Sequence, residues 1–176
     1  MKSRYQLALW LLLGLPLAAL ARGSAHVHGV GTLDIAVDAK KIVVQFDTPL
    51  DNLVGFERAP RTDAERKRVD EAVARLKAGD QMFKFDPAAG CKLAMVELNS
   101  AVLGLGKPGA TAAKDGHAEL DASWEFDCND GAKAAFVDVG LFTFNPLKRV
   151  QVQLALPKGQ LKRELKRPNM RIVFGP

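Results

Sequence analysis

Alternation of apolar and polar residues predicts that most of this chain forms β-strands. Every second side chain is apolar over residues 32–39, and the same holds for residues 42–46 after a turn of two lysines. A strand buried on one face shows this period of two, so the two segments should form a hairpin. The longest alternation covers residues 117–128. Shorter apolar or alternating segments predict further strands at 91–98, 137–144, 149–156, 160–165 and 170–174.

One segment, residues 63–78, has the pattern of an amphipathic helix. Thr62 is followed three residues later by Glu65, which is a capping box and marks a helix start, and Gly79 is expected to cap the other end. The apolar stripe of this helix consists of Val69, Ala72, Val73 and Leu76. Because the strands follow one another and the helix is isolated, the expected fold class is α+β, a mainly antiparallel β-sheet with one main helix packed on it.

The N-terminal segment has the features of a secretory signal peptide. Basic residues precede an apolar run at 7–20, which is shorter than the roughly 20 residues that a membrane-spanning helix needs. We therefore expect a signal peptide over residues 1–21, with cleavage after residue 21 or, alternatively, after residue 25. The mature protein should then be periplasmic in a Gram-negative source, without stable membrane insertion.

The rest of the chain, residues 26–176, is expected to form a single domain. It has no internal repeat, and its length suffices for one core. Residues 104–116 are rich in Gly, Ala and Lys and lack an apolar pattern, so they predict a flexible loop.

Composition and charge narrow the range of partners. Hydrophobic residues make up 48% of the chain, which excludes a disordered tail, and the net charge of +5 is modest. The densest basic cluster lies near the C-terminus without a neighbouring aromatic platform, so we interpret it as a solvated edge and expect no nucleic-acid partner. The cluster comprises Lys158, Lys162, Arg163, Lys166 and Arg167.

Cys91 and Cys128 are the two cysteines of the chain. Their spacing suits neither a zinc knuckle nor a redox pair, because both need cysteines within a few residues of each other. Both lie on the apolar faces of their predicted strands, Cys91 together with Leu93 and Met95. In an oxidising compartment this placement predicts a buried disulfide between them.

The motif search favours a binding protein over an enzyme. The sequence has no Gly-x-Ser-x-Gly elbow, phosphate loop, dinucleotide fingerprint or His-Glu-x-x-His pair. Acidic pairs are numerous, and nothing singles one of them out for carboxylate chemistry.

The histidines are the candidate chemistry. His26 and His28 are separated by one residue, so on an extended segment both imidazoles point to the same side and can reach one ion. Neutral imidazole suits Zn and Cu. His117 begins the strand whose polar face carries Glu119 and Asp121, and a tetrahedral site needs three or four such groups. These five residues are the predicted metal ligands, with Zn²⁺ as the expected ion and copper as a further candidate.

Several segments together resemble the ZrgA-like family of zinc-uptake-regulated periplasmic proteins. The likeness covers nearly the whole mature chain, and its most specific part is the Asn-Leu-Val-Gly-Phe-Glu block at 52–57. The other matching parts are the opening His-x-His-Gly-x-Gly at 26–31, Ala59-Pro60, the helix start at 62–65, Cys91, the strand 117–128, Phe142, residues 150–154 and the turn at 157–160.

The resemblance implies a periplasmic zinc-binding protein involved in zinc acquisition or homeostasis. Its partners would be the metal ion and a zinc importer or another periplasmic zinc-binding protein. His26, His28 and His117 carry over as ligands, and Glu57 as a ligand or a group that supports one. Many such proteins have a histidine-rich middle tract, whereas residues 104–116 contain no histidine here, which argues against a store for many ions.

Two further interpretations of the histidines remain open at this point. The first is a metal-independent periplasmic binding or interaction module in which the histidines are incidental. The second is a copper redox protein, because cleavage after residue 25 would free the amine of His26 to chelate copper together with its ring. Metal analysis of the purified protein and intact-mass analysis distinguish these cases.

Overall fold

The computed structural model describes residues 27–106 and 118–175. The predicted signal peptide, His26, His117 and residues 107–116 of the predicted loop lie outside these described residues. The strands are β1 (Val30–Val37), β2 (Lys41–Pro49), β3 (Phe83–Phe85), β4 (Lys92–Asn99), β5 (Glu119–Asp127), β6 (Phe136–Val139), β7 (Arg149–Leu156), β8 (Gly159–Lys166) and β9 (Arg171–Val173). The α-helices are α1 (Asp51–Val54), α2 (Asp63–Lys77) and α3 (Gly79–Met82). None of the helices in the described ranges has the length and hydropathy of a membrane-spanning segment.

Six strands form the larger sheet in the order β4-β5-β2-β1-β7-β8. The predicted hairpin of β1 and β2 is confirmed, with Leu33 opposite Phe46. Neighbouring strands are antiparallel except β1 and β7, which run parallel. The chain therefore places the start of β1 between the end of β2 and the start of β7, at one end of the sheet.

A second sheet of three strands, β3-β6-β9, packs against the inner face of the larger one. Phe83 of β3 meets Trp124 of β5 edge to face at 4.8 Å between ring centroids, and Phe85 meets Phe126 at 4.9 Å. All four alternate positions predicted for the apolar face of β5 are buried, so the core lies between the two sheets.

The prediction of an α+β fold with one main helix on a single sheet is wrong. The described residues are 46% strand and 25% helix, with two sheets and only small helices, so the protein is mostly β. The strands predicted at 137–144 and 170–174 overlap β6 and β9, whereas β3 was not predicted as a strand. Strands of three or four residues are too short for their pattern to show that they pair in a separate sheet.

Helix α2 begins as predicted and ends differently. The Thr62 hydroxyl accepts a hydrogen bond from Glu65 N at 3.2 Å, which confirms the cap. The predicted C-cap role of Gly79 is wrong, because Ala78 caps α2 and Gly79 begins α3. Gly79 instead leaves room for the indole of Trp124, whose Nε1 donates to Leu76 O at 2.7 Å and ties α2 to the larger sheet.

Strand β4 contains an irregularity that reverses one predicted face. Its register with β5 shifts between Leu93 and Met95. Because an extra residue moves all later side chains to the opposite face, Val96 turns inward and Met95 is 43% exposed. The prediction that Met95 faces the core is therefore wrong.

The predicted disulfide between Cys91 and Cys128 is confirmed. Lys92 at the start of β4 pairs with Asp127 at the end of β5. Cys91 directly precedes Lys92 and Cys128 directly follows Asp127, so the two cysteines are neighbours at the same end of this strand pair. The bond fastens the edge strand β4 to its neighbour β5.

Candidate metal centre

A tight turn presents His28 at the end of the larger sheet. Val30 N donates to Val27 O at 3.0 Å, and Gly29 adopts φ +80°, a left-handed conformation that favours glycine. The side chain of His28 is 65% exposed. The turn therefore directs an imidazole into solvent immediately before β1.

Antiparallel pairing of β1 and β2 brings Asp51 to this imidazole. Thr32 lies opposite Asp47 in the hairpin, and His28 precedes Thr32 by as many residues as Asp51 follows Asp47. Asp51 is the first residue of α1, whose other residues are buried.

The end of α1 then returns the chain to the same place. Gly55 caps α1 in a left-handed conformation with φ +86°, where a residue with a side chain would be strained. The chain turns there, and Glu57 comes to lie on the other side of the His28 ring.

His28, Asp51 and Glu57 form what we call the His28 cluster. His28 Nδ1 is hydrogen-bonded to Asp51 Oδ2, and His28 Nε2 lies 3.7 Å from Glu57 Oε1. One ligand atom from each of the three residues lies within 4.8 Å of the other two. The side chains of Asp51 and Glu57 are only 18% and 16% exposed, so both carboxylates are largely withdrawn from water.

One oxygen of the His28 cluster lacks a partner. Asp51 Oδ1 is buried and accepts no hydrogen bond within the described part of the chain. A buried carboxylate oxygen without a donor costs free energy, which a cation would offset. The chemistry of the set also fits zinc, which binds imidazole nitrogen and carboxylate oxygen at about 2.0–2.2 Å.

The five sequence-predicted ligands are distributed unevenly. His28 belongs to the cluster, whereas His26 and His117 lie outside the described residues. Glu119 and Asp121 are not part of the His28 cluster. Asp121 lies opposite Asp47 on the outer face of the larger sheet, and Glu119 lies opposite Pro49.

Sequence reasoning missed Asp51 and reached Glu57 only through the family resemblance. A signal for Asp51 was present in the predicted hairpin, because residues that precede one strand and follow the other must be neighbours in an antiparallel pair. No comparable signal existed for Glu57, whose position depends on the turn at Gly55.

A separate group of acids lies on the outer face of the larger sheet. The pKa of Asp47 is raised to about 6, first by partial desolvation and then by the negative charges of Asp121, Asp34 and Glu119. Desolvation also raises the pKa of Asp121, opposed by its hydrogen bond with Asp47. The two carboxyl groups therefore hold a proton between them more readily than isolated aspartates do.

These observations define a small two-sheet β protein with an open histidine–carboxylate cluster at one end of its larger sheet. Residues 25–174 match the family described as ZrgA family zinc uptake protein, so the chain belongs to that family. The search of curated proteins found no match. The family match confirms the resemblance seen in the sequence, spans the His28 cluster and the disulfide, and connects the protein with zinc uptake.

Proposed function

We propose that this protein binds zinc in the periplasm and takes part in zinc acquisition, with the His28 cluster as its binding site. The observation that carries the proposal is the convergence of His28, Asp51 and Glu57 within 4.8 Å of one another. The buried, unpartnered Asp51 Oδ1 and membership of a zinc uptake family support it.

The exposure of the cluster suits an ion that is cargo. His28 is open to solvent while the two carboxylates are largely buried, so an ion would have protein ligands on one side and an accessible side for exchange. An importer or another periplasmic zinc-binding protein could take the ion from that side. We propose binding and transfer as the role, because the sequence features and the cluster point to a metal ligand set and the motif search favours a binding protein.

His26 and His117 remain the predicted additional ligands. His26 is two residues from His28 in the sequence, a spacing that on an extended segment lets both imidazoles reach one ion. His117 precedes Ala118, whose carbonyl accepts a hydrogen bond from Leu50 N at 2.8 Å, next to Asp51. Either histidine would complete the four ligands that zinc prefers.

Export is also part of the proposal. It is supported by the predicted signal peptide over residues 1–21 and by the disulfide, which persists in oxidising compartments. Intact-mass analysis of the secreted protein will show whether cleavage follows residue 21 or residue 25.

Calorimetric titration of Zn²⁺ into the untagged mature protein tests the binding site. We expect about one ion per chain, and His28→Ala and Glu57→Gln should each weaken binding by at least about tenfold. Asp70→Asn removes an exposed carboxylate from α2 and should bind as the wild type does. If His28→Ala binds zinc normally, the cluster is not the site.

Three more variants test whether ligands that were predicted from the sequence, but lie outside the His28 cluster, contribute to zinc binding. Weaker binding by His26→Ala or His117→Ala would identify the fourth ligand. Asp121→Asn should leave the affinity unchanged, because Asp121 lies outside the cluster. A wild-type protein that binds no zinc would favour the metal-independent interaction module.

A further inference from the structure

The carboxamide of Asn52 is buried behind the His28 cluster, and both its oxygen and its nitrogen are hydrogen-bonded. Its side chain is 0% exposed. Asn52 Oδ1 accepts from Gly29 N at 2.5 Å, and Nδ2 donates to Val30 O and to Thr48 Oγ1, both at 2.9 Å. One amide thus satisfies polar groups of the turn before β1, of the start of β1 and of the end of β2.

These bonds join the segments that carry the proposed ligands. Gly29 follows His28 directly in the chain, and Asn52 follows Asp51. Helix α1 has only 4 residues and no side-chain cap, so its few backbone hydrogen bonds leave a role for a further hold on Asp51 from the side chain of a neighbouring residue. The Asn52 amide provides that hold, and it does so in a buried setting where hydrogen bonds are strong.

Backbone bonds fix the other side of the same turn. Gly29 O accepts from Lys148 N at 2.8 Å and from Arg149 N at 2.9 Å. The peptide groups of Gly29 are therefore held by β7 through the carbonyl and by Asn52 through the N–H. The second of these contacts adds to the β1–β2 hairpin a direct link between the turn that carries His28 and the helix that carries Asp51.

We infer that Asn52 is a positioning residue for zinc, which sets the distance between His28 and Asp51 without touching the ion. The inference rests on the proposed function of the His28 cluster. Asparagine suits this place because its short side chain offers one acceptor and two donors. Aspartate would keep the bond from Gly29 N and would set a negative oxygen against the Val30 carbonyl in place of a donor.

The test compares zinc affinity with stability in the same variants. We expect Asn52→Ala and Asn52→Asp to weaken zinc binding by about 10- to 100-fold, the range seen when groups that orient metal ligands are removed. Trp124→Phe is the matched control, because it also removes a buried side-chain hydrogen bond, at a place remote from the cluster in the fold. It should lower the urea midpoint of unfolding and leave zinc affinity within about twofold of wild type.

A metal-free measurement accompanies the titration. Amide hydrogen exchange of Gly29 in the zinc-free protein should be slow in the wild type, in Trp124→Phe and in Asn52→Asp, which keeps an acceptor for Gly29 N, and faster in Asn52→Ala. If the Asn52 variants do not fold, Thr48→Val decides, because it removes one of the three bonds and should weaken zinc binding by about two- to fivefold.

The outcomes separate this inference from the proposed function. If His28→Ala loses zinc while the Asn52 variants, or Thr48→Val in their place, bind as the wild type does, the positioning role is wrong and the site stands. If His28→Ala binds zinc normally, the proposed function fails first.

Discussion

Among single residues, Asp47 carries a charge that costs the folded protein free energy. Its pKa is raised from 3.8 to about 6, first by partial desolvation and then by Asp121. An acid with a raised pKa in the folded state takes up its proton there before it does so in the unfolded chain. Its carboxylate therefore destabilises the fold above about pH 6, and this cost disappears as the pH falls to about 4.

Replacing Asp47 by asparagine should stabilise the protein at neutral pH. Asn keeps the size and the hydrogen bond to Asp121 and removes the charge. We expect the free energy of unfolding in urea to rise by about 1 kcal/mol at pH 7, a figure discounted for solvent screening on this exposed face. At pH 4 the gain should shrink markedly, whereas the α2 control Asp70→Asn should change little at either pH. An equal gain at both pH values would mean that charge is not the cause.

His28 and Asp51 show how far single-residue prediction reaches. The His-x-His spacing pointed to His28, because a short local pattern suffices to recognise a candidate ligand. Asp51 has no local pattern, since an aspartate at the start of a short helix is ordinarily a favourable first-turn charge. Only the hairpin register and the hydrogen bond to His28 give it a second role.

At the scale of elements, Gly79 lies where α2, α3 and β5 come close together. It begins α3 just after α2 ends, and the indole of Trp124 from β5 packs against it. A Cβ added to this glycine would lie 2.4 Å from Trp124 Cδ1, far inside van der Waals contact. The indole cannot retreat freely, because its Nε1 is hydrogen-bonded to Leu76 O. The close approach of α3 to the larger sheet therefore requires glycine at this position.

Gly79→Ala should destabilise the protein even though alanine favours helices. We expect a loss of about 1–3 kcal/mol from overpacking, reduced by the helix preference of alanine, in urea unfolding followed by tryptophan fluorescence. Gly175→Ala is the control, because a Cβ there would meet no atom of the described residues within 4 Å, its chain neighbours aside, and no positive φ is involved. A Gly79→Ala variant as stable as wild type would show that Trp124 can move aside.

The elements also show why periodicity predicts some faces and not others. Strand β5 follows its alternation from end to end, and its predicted inner face is buried. In β4 the same reasoning failed after Leu93, because a bulge depends on pairing with β5 and leaves no mark in the residues of β4 itself.

On the scale of the whole molecule, the core does not depend on the His28 cluster. Buried aromatic residues from both sheets pack on each other, and the disulfide fastens β4 to β5. The cluster lies at one end of the larger sheet with an exposed imidazole. Zinc should therefore be a ligand of a folded protein and not a condition of folding.

EDTA treatment should remove zinc and leave the fold intact. We expect the far-ultraviolet circular dichroism spectrum to be unchanged within error. Adding zinc at 100 times its Kd should raise the free energy of unfolding by about 2.7 kcal/mol, because the ion binds only the native state. At the same zinc concentration the His28→Ala variant, which binds at least about tenfold more weakly, should gain no more than about 1.4 kcal/mol. Loss of the β-sheet signal in EDTA would make the ion structural instead.

The sequence alone determined the features that depend only on residues close together along the chain. Four such features could be predicted from local periods or short motifs. They are the β1–β2 hairpin, the cap of α2, the inner face of β5 and His28 as a candidate ligand. The disulfide followed as well, because only two cysteines were present to pair.

Tertiary structure decided what depends on contacts between distant segments. Three features join residues that are far apart in the sequence. They are the second sheet, the parallel pairing of β1 with β7, and the cluster of His28 with Asp51 and Glu57. The side-chain pattern along a strand indicates which face of that strand is buried. It does not indicate which other strand lies beside it. Long-range pairing is chosen by the packing of the whole core, so the metal cluster became visible only in the folded chain.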